Sequence, residues 1–383
     1  MSLKIAVLKE TSINERRIAM VPMLVARFMR LGANITLQTC AGVTAGFADA
    51  DYVGVKIMDD PQRMVADADI VLAVQAPPAE VIVAMKPGAV LVSFVYPQKN
   101  ADLLKPLRDG CITAFALESV PRISRAQALD ALSSQSTLTG YYALLLGAVH
   151  LQRILPMMTT AVGSLRAAHV LVMGLGVAGL QALATAHRLG AITEGYDVRP
   201  ETKEQAQSVG AKFVDTGVDA GGKGGYAREL TAEEQAQAKE VLTRHIQQAD
   251  LVITTANVPG RTAPQLVSRA QIEGMKAGSV IVDLAAESGG NCEGTLPGQV
   301  TRVGPATILA PLNVPSLLAQ HASELYAKNL LNLLELIIKD GVLSLDLGDE
   351  VVAGTLLAHA GEIRHSVTQL SLNNLLTLRP QIP

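Results

Sequence analysis

Short β-branched runs alternate along the chain with stretches whose apolar residues recur at helical spacing and close on glycine. A first set of such runs is KIAVLKE (4–10), NITLQT (34–39), DIVLAVQ (69–75), AVLVSFVY (89–96) and ITAFAL (112–117), with helical stretches such as VPMLVARFMRLG between them. A second set is HVLVMGLG (169–176), EGYDV (194–198), AKFVD (211–215), DLVITTA (250–256), SVIVDLA (279–285) and TILAPL (307–312). Buried strands separated by helices are the pattern of parallel sheets covered on both faces. The expected fold class is therefore α/β, with two doubly wound parallel-sheet domains. SLLAQHASELYAKNLLNLLELII (316–338) is long enough to cross back from the second domain to the first, and a segment near 133–153 forms the other bridge. Long helices then link the domains, and a cleft is expected between them. The boundaries that follow are 1–132 plus 318–383 for a discontinuous first domain and 133–317 for the second.

DTGVDAGGKGGYARELTAEEQAQAKE (215–240) breaks the alternation, opening with five glycines in its first eleven residues and continuing as a polar helix. Loops this long in compact α/β domains are usually functional or mobile, so a mobile loop is expected at about 216–233. Composition adds exclusions. With 49% apolar and 17% charged residues the chain is not disordered. The richest apolar stretch, TGYYALLLGAVHLQRILPMM (139–158), meets His150 and Arg153 before it reaches the roughly 20 apolar residues a bilayer needs, and a buried helix is expected there. A net charge of −3 without charge runs gives no footprint for nucleic acid or an anionic membrane. Cys40, Cys111 and Cys292 are widely spaced, and the seven histidines lack metal-ligand spacing, so neither a disulfide framework nor a metal site is expected. The start, MSL followed by KIAVL, lacks the order of a signal peptide, which points to the cytoplasm.

HVLVMGLGVAGLQALATAHRLG places Gly174, Gly176 and Gly179 after a strand and at the start of an amphipathic helix. In G-x-G-x-x-G the first glycine permits the turn, the second lets a pyrophosphate approach the backbone, and the third lets helix and strand pack closely. Amides at the helix start receive the phosphates. Asp197 closes the next strand, where a carboxylate accepts from a ribose 2′-hydroxyl and repels a 2′-phosphate. These elements in register point to NAD(H); a glycine-rich turn without a ligand is the competing explanation. Arg199, two residues further on, reads by itself as a solvated arginine.

PRISRAQALDALSSQS (121–136), together with KIAVLKE, ERRIAMVP, GLGVAGLQA, DVRPETKEQ, GGYARE, VIVDLAAESGGNC, NVPS and AKNLLNLL, closely resembles the NAD(H)-binding component, domain I, of the proton-translocating nicotinamide nucleotide transhydrogenases. The similarity runs nearly end to end and extends, more distantly, to alanine dehydrogenases. It implies two Rossmann-like domains around a cleft, a homodimer, and hydride transfer from NADH to NADP⁺ held by a separate domain III. Proton movement would belong to a separate membrane domain II, with this chain docked peripherally on the cytoplasmic face of the inner membrane. In the resemblance, Arg122, Gln127 and Asp130 form a loop beside the nicotinamide, with Ser133 near its carboxamide. Arg122 would hold the pyrophosphate or nicotinamide side, Asp130 would restrain that arginine, and Gln127 would reach toward the partner's nucleotide. On residue types alone, an Arg and Asp pair pinning an interdomain turn explains the stretch equally well. Arg125 and Ser124 are explained as well by a solvated arginine and a turn serine. Gly225 and Tyr226 match the family's closing loop, with Gln237 in the helix that follows. The implied nucleotide contacts also include Val177, Val198, Arg199, Ala256 and Asn257. Met157 and Met158 read as core or subunit-interface packing, and Tyr141 and Tyr142 as packing on the bridge helix.

Alanine dehydrogenases carry a lysine in the third strand and a histidine after the fourth, where this chain has Gln75 and Tyr96. Gln75 cannot act as a charged general acid. An alanine dehydrogenase-like amino-acid dehydrogenase and a non-catalytic NAD(H)-sensing module are the alternatives to a transhydrogenase subunit.

Overall fold

The computed structural model describes residues 2–218, 231–257 and 262–364. The chain begins with β1 (Leu3–Val7), α1 (Val25–Met29), β2 (Ala33–Gln38), β3 (Lys56–Met58), α2 (Pro61–Asp67), β4 (Ile70–Gln75), α3 (Ala79–Ala84), β5 (Val90–Phe94), α4 (Leu104–Asp109) and β6 (Thr113–Ala116). Next comes α5 (Ala131–His150), followed by a hairpin of β7 (Met158–Thr160) and β8 (Gly163–Leu165). Then follow β9 (His169–Met173), α6 (Val177–Arg188), β10 (Ile192–Tyr196), α7 (Thr202–Ser208), β11 (Lys212–Phe213), α8 (Ala232–Gln248), β12 (Leu251–Thr254), α9 (Arg269–Glu273), β13 (Val280–Asp283), β14 (Val300–Val303) and β15 (Ala306–Leu309). The chain closes with α10 (Ala319–Ile337), β16 (Ile338–Lys339), β17 (Val342–Leu343), α11 (Glu350–Thr355), β18 (Leu356–His359) and β19 (Glu362–Ile363). Residues 1–135 with 315–383 form one compact unit and residues 136–314 the other.

In the first unit the sheet order is β19-β18-β6-β5-β4-β1-β2-β3, parallel from β3 to β6 and antiparallel at β18 and β19. In the second it is β11-β10-β9-β12-β13-β15-β14, parallel except for β14. Both sheets reverse winding direction beside their first long strand, between β1 and β4 and between β9 and β12. Ligands of such sheets bind outside the carboxyl ends of the strands at that reversal.

Alternate residues of one strand feed opposite cores. Ile70, Leu72 and Val74 of β4 pack into one cluster, and Val71 and Ala73 into another. Val170 and Val172 of β9 face one side, Leu171 and Met173 the other. Burial on both faces is why these strands read as unbroken apolar runs. Tyr326, Leu330, Leu333, Leu334 and Ile337 put the apolar stripe of α10 into the first unit's core, where the Tyr326 hydroxyl donates to the Ala73 carbonyl at 2.8 Å.

The expected buried helix at 139–158 is corrected. Helix α5 ends at His150, and Pro156 disfavours helical backbone at the residue before it. Ala143 and Leu144 are buried, but Val149 is exposed, and Met157 and Met158 lead into an exposed hairpin. Met157 is 71% exposed, which removes the core reading for it.

A buried ion pair ties the first unit together at the carboxyl ends of its strands. Arg17 donates through Nε and Nη2 to Glu15 at 2.8 and 2.6 Å, and the two side chains are 4% and 0% exposed. Glu15 also accepts from Gln75 Nε2 at 2.9 Å and from the Ser316 hydroxyl at 2.6 Å, and Arg17 Nη1 donates to Gln135 at 2.9 Å. Burial alone would raise the Glu15 carboxyl. The hydrogen bonds and charge of Arg17 overcome it, with help from Gln75 and Ser316, and hold the group at about 2 against an ordinary 4.5. A depressed carboxyl stabilises the fold above its unfolded value and loses that contribution as the pH falls through its folded value. Glu15→Gln, which leaves Arg17 buried without its counter-charge, is expected to cost about 3–5 kcal/mol at pH 7 in urea unfolding. The variant should also lack the share of acid destabilisation that the native protein shows between pH 4.5 and 2.

Candidate functional site

The second unit builds its site on the turn from β9 to α6. Gly174 has a φ of +96°, in the left-handed region that favours glycine. Its N–H donates to the Tyr196 carbonyl at 2.8 Å, and its own carbonyl accepts from the Thr255 hydroxyl at 2.7 Å. A Cβ on Gly179 would lie 1.9 Å from the Gly174 carbonyl oxygen, so helix and turn meet there without room for a side chain. Gly176 differs from both. A Cβ on it would meet no atom within 4 Å, and it caps α6 without a side-chain hydrogen bond. Open space over uncapped helix amides is the arrangement that admits a pyrophosphate. The residues present therefore fit a dinucleotide, with Val177 exposed at the first position of the helix.

Asp197 follows β10 and lies against this turn, its Oδ2 accepting from Leu175 N at 2.7 Å. Arg199 folds back on it, donating from its backbone N and Nε to Oδ1 at 2.9 Å each and from Nη2 to Oδ2 at 2.8 Å. The solvated reading of Arg199 is thus corrected: its charge is spent on Asp197. Burial opposes the charged form of Asp197, but Arg199 and the Leu175 and Arg199 amides outweigh it and lower the carboxyl below its ordinary value. Val198 sits between them, half-buried against the core. Ala256 is brought to the same turn, since a Cβ on Gly174 would lie 3.0 Å from Ala256 N. Asn257 is exposed beside it. Gln237 in α8 donates to the Thr216 carbonyl at 2.9 Å, beyond β11. Gly225 and Tyr226 lie outside the described residues.

The first unit carries residues 121–135 of the polar stretch. Arg122 and Gln127 are exposed, while Ala126 and Leu129 are buried in the core. Asp130 caps α5, accepting from Ser133 N at 2.9 Å and from the Ser133 hydroxyl. Arg125 is paired with Asp349 rather than simply solvated. Tyr141 is exposed on α5 and Tyr142 half-buried.

Sequence reasoning missed the polar group at the mouth of the first sheet. A cavity of about 350 Å³ lies there, lined by Lys9, Glu10, Gln38, Asp60, Gln75 and Glu80 among others. Burial, with a smaller push from Glu15, raises the Glu10 carboxyl to about 8, against the pull of the Val74 and Gln75 amides that it accepts. Lys9 and Glu10, the charged letters of KIAVLKE, were the available signal, but nothing local shows that Glu10 turns inward. Among the described residues no group of three or more His, Cys, Asp or Glu could hold a metal ion.

Two doubly wound sheets, one with a dinucleotide-type turn, define a Rossmann-type nucleotide-binding protein. The chain belongs to the alanine dehydrogenase/PNT family, whose N-terminal domain matches residues 6–139 and whose C-terminal domain matches residues 143–366. The family comprises NAD(P)-dependent oxidoreductases, so a nicotinamide nucleotide is the implied cofactor. The chain is 43% identical over 371 residues to the first part of the NAD(P) transhydrogenase alpha subunit of Rickettsia prowazekii, covering 94% of this chain and 96% of that one. An alanine dehydrogenase of Mycobacterium tuberculosis is 30% identical over 300 residues, with coverage of 77% and 76%. The solved transhydrogenase from Sinorhizobium meliloti superposes with a TM-score of 0.83 at 39% identity, covering 95% of this chain and 99% of that one.

The glycines make a sharp stability test. Gly179→Ala is expected to lower stability by about 1–3 kcal/mol through overpacking, whereas Gly176→Ala should shift it by about 1 kcal/mol or less, the difference between cap residues. Thermal unfolding of both variants checks the contrast.

Proposed function

We propose that this chain is the NAD(H)-binding component of a proton-translocating transhydrogenase, passing the hydride of NADH to NADP⁺ held on the domain III of a partner chain. The observation that carries the reading is the open approach to Gly176 over uncapped helix amides beside Asp197, in a chain 43% identical to a transhydrogenase subunit along almost its whole length. A bound nicotinamide supplies the hydride. The chain's own residues bind and orient it. The first-turn amides of α6 take the phosphates, and Asp197 receives a ribose hydroxyl and disfavours a 2′-phosphate. Arg199 pairs with Asp197 and keeps its carboxylate ionised while partly buried. Val177, Val198, Ala256, Asn257 and Gln237 line the nucleotide. Arg122 and Gln127 face outward from their loop and act at the nicotinamide, with Asp130 and Ser133 fixing the loop's exit into α5.

Only a hydride moves between the two C4 atoms, so no heteroatom needs a general acid or base, and positioning supplies most of the rate. The first unit agrees with this economy. Gln75 is tied to Glu15, and Tyr96 holds a left-handed backbone (φ 46°) with its ring stacked on Phe94 at 5.6 Å. Gln75, a neutral amide, offers no charged general acid at that position.

Among the described residues no helix is long and apolar enough to cross a membrane. The reading places proton movement in a partner's membrane domain II and this chain at the cytoplasmic face of the inner membrane. We also infer a homodimer. The hairpin of β7 and β8 is exposed along its length, and Met157, Met158, Val162 and Leu165 offer apolar surface on and beside it. An isolated two-stranded ribbon is marginal without something to pack on.

Stopped-flow mixing of the purified chain, NADH and an NADP⁺-loaded domain III should give rapid reduction of NADP⁺. Absence of transfer despite NADH binding and complex formation would defeat the reading. Gln127→Asn is expected to slow transfer about tenfold or more with NADH affinity nearly unchanged; equal losses would favour a sensing module. NADH oxidation that depends on pyruvate and ammonia would favour the dehydrogenase alternative. For the homodimer, Val162→Asp should shift sedimentation from dimer toward monomer, and a native chain that sediments as a monomer refutes it.

A further inference from the structure

The loop from Pro121 to Asp130 contains a six-residue 3₁₀ helix, Ser124–Leu129. Runs of this geometry longer than three or four residues are uncommon, because their hydrogen bonds are poorly aligned. Such a segment depends on outside contacts for its shape, and here several contacts along its rim come from residues some 200 positions later. At its start, Pro121 packs on α11, where a Cβ on Gly354 would lie 2.8 Å from Pro121 Cγ. In its middle, Arg125 forms a two-pronged pair with Asp349, Nη1 to Oδ2 at 2.9 Å and Nη2 to Oδ1 at 2.8 Å. Near its end, the Ala128 carbonyl accepts from both Asn329 Nδ2 and Asn332 Nδ2, each at 2.9 Å. Asn329 is itself fixed by the Ser134 hydroxyl, which donates to its Oδ1 at 2.8 Å.

These contacts share one logic. Ala126 and Leu129 anchor the inner side of the loop in the core, and the later segment clamps its rim, leaving Gln127 and Arg122 outward. Asp349 serves two elements at once, since its Oδ1 also caps α11 by accepting from Val351 N at 2.8 Å and Val352 N at 3.1 Å. The hydrogen bonds from Arg125 are the main reason its carboxyl sits near 2. A largely exposed ion pair contributes little to stability. Two parallel bonds of this kind do fix orientation.

We propose that Asp349, through Arg125, and Asn332 with Asn329, through the Ala128 carbonyl, are positioning residues that hold the 121–130 loop in the form that carries out hydride transfer. The inference rests on the transhydrogenase reading above. It adds a role for the segment from α10 to α11, which supplies no nucleotide-binding motif of its own.

The test is Asp349→Asn, which keeps an acceptor for the Val351 and Val352 amides and removes the charged fork. Mixed with NADH and NADP⁺-loaded domain III, the variant should transfer hydride about tenfold more slowly than the native chain. Its NADH dissociation constant should stay within about twofold and its melting temperature within about 2 °C. Combining it with Arg125→Gln should cost no more than either change alone, because both remove the same contact. Transfer at the native rate overturns the inference. So does a loss of rate matched by equal losses of NADH affinity and thermal stability, which marks a merely structural contact. If Asp349→Asn does not fold, Arg125→Gln, which leaves the helix cap intact, carries the same expectations. A native chain that binds NADH and complexes with domain III yet transfers nothing overturns the transhydrogenase reading; a native chain that transfers while both variants match it sinks this inference alone.

Discussion

The buried pair of Glu15 and Arg17 constrains the first unit more than any single apolar contact. A charge taken out of water must be matched, and losing one partner of a buried pair costs several kcal/mol (about 3–5). Matching these two draws in Gln75 at the end of β4, Gln135 near the start of α5 and Ser316 just before α10. Four segments, the most distant separated by about 300 residues, are thereby pinned at the carboxyl end of one sheet. The return of the chain to its first unit is thus fixed by polar satisfaction as well as by the apolar stripe of α10.

The same topology is put to two uses. In the second unit the turn after the central strand is made of glycine and leaves backbone amides open beside a carboxylate. In the first unit the corresponding turn after β1 holds glutamates, arginines and a cavity that contains Glu10. Winding places both turns at the reversal of strand order, and the residues there decide what each can do. The glutamine at Gln75 illustrates the coupling. It serves the ion pair as a neutral donor, and for that reason offers no proton to a substrate.

The central strands were legible because burial on both faces leaves an apolar run with no polar interruption. β3, β14 and β19 carry weaker signals, since edge strands are short and half-polar. The apolar stretch 139–158 misled for a related reason: hydrophobicity reports a need for cover, and the stretch leaves its helix at His150 and reaches an exposed hairpin at Met158. The nucleotide turn was readable because its chemistry is local, three glycines and a strand. Arg199 was not, because its partner is chosen by the backbone path after β10. Arg125 likewise shows its role only beside Asp349.

By itself the sequence determined the α/β alternation, the glycine turn with Asp197, and the polar character of 121–136, all features set within about twenty residues. The tertiary structure alone decided that Glu15 and Arg17 turn inward, that Asp349 reaches Arg125, and that Asn329 and Asn332 meet one carbonyl. The contacts of Glu15 with Gln75 and Ser316, of Asp349 with Arg125 and of the two asparagines with Ala128 join residues far apart in the chain, and their geometry exists only after the first unit's strands are ordered and the return helix is docked. Local spacing can specify a turn, but a long-range hydrogen bond depends on where folding carries each end.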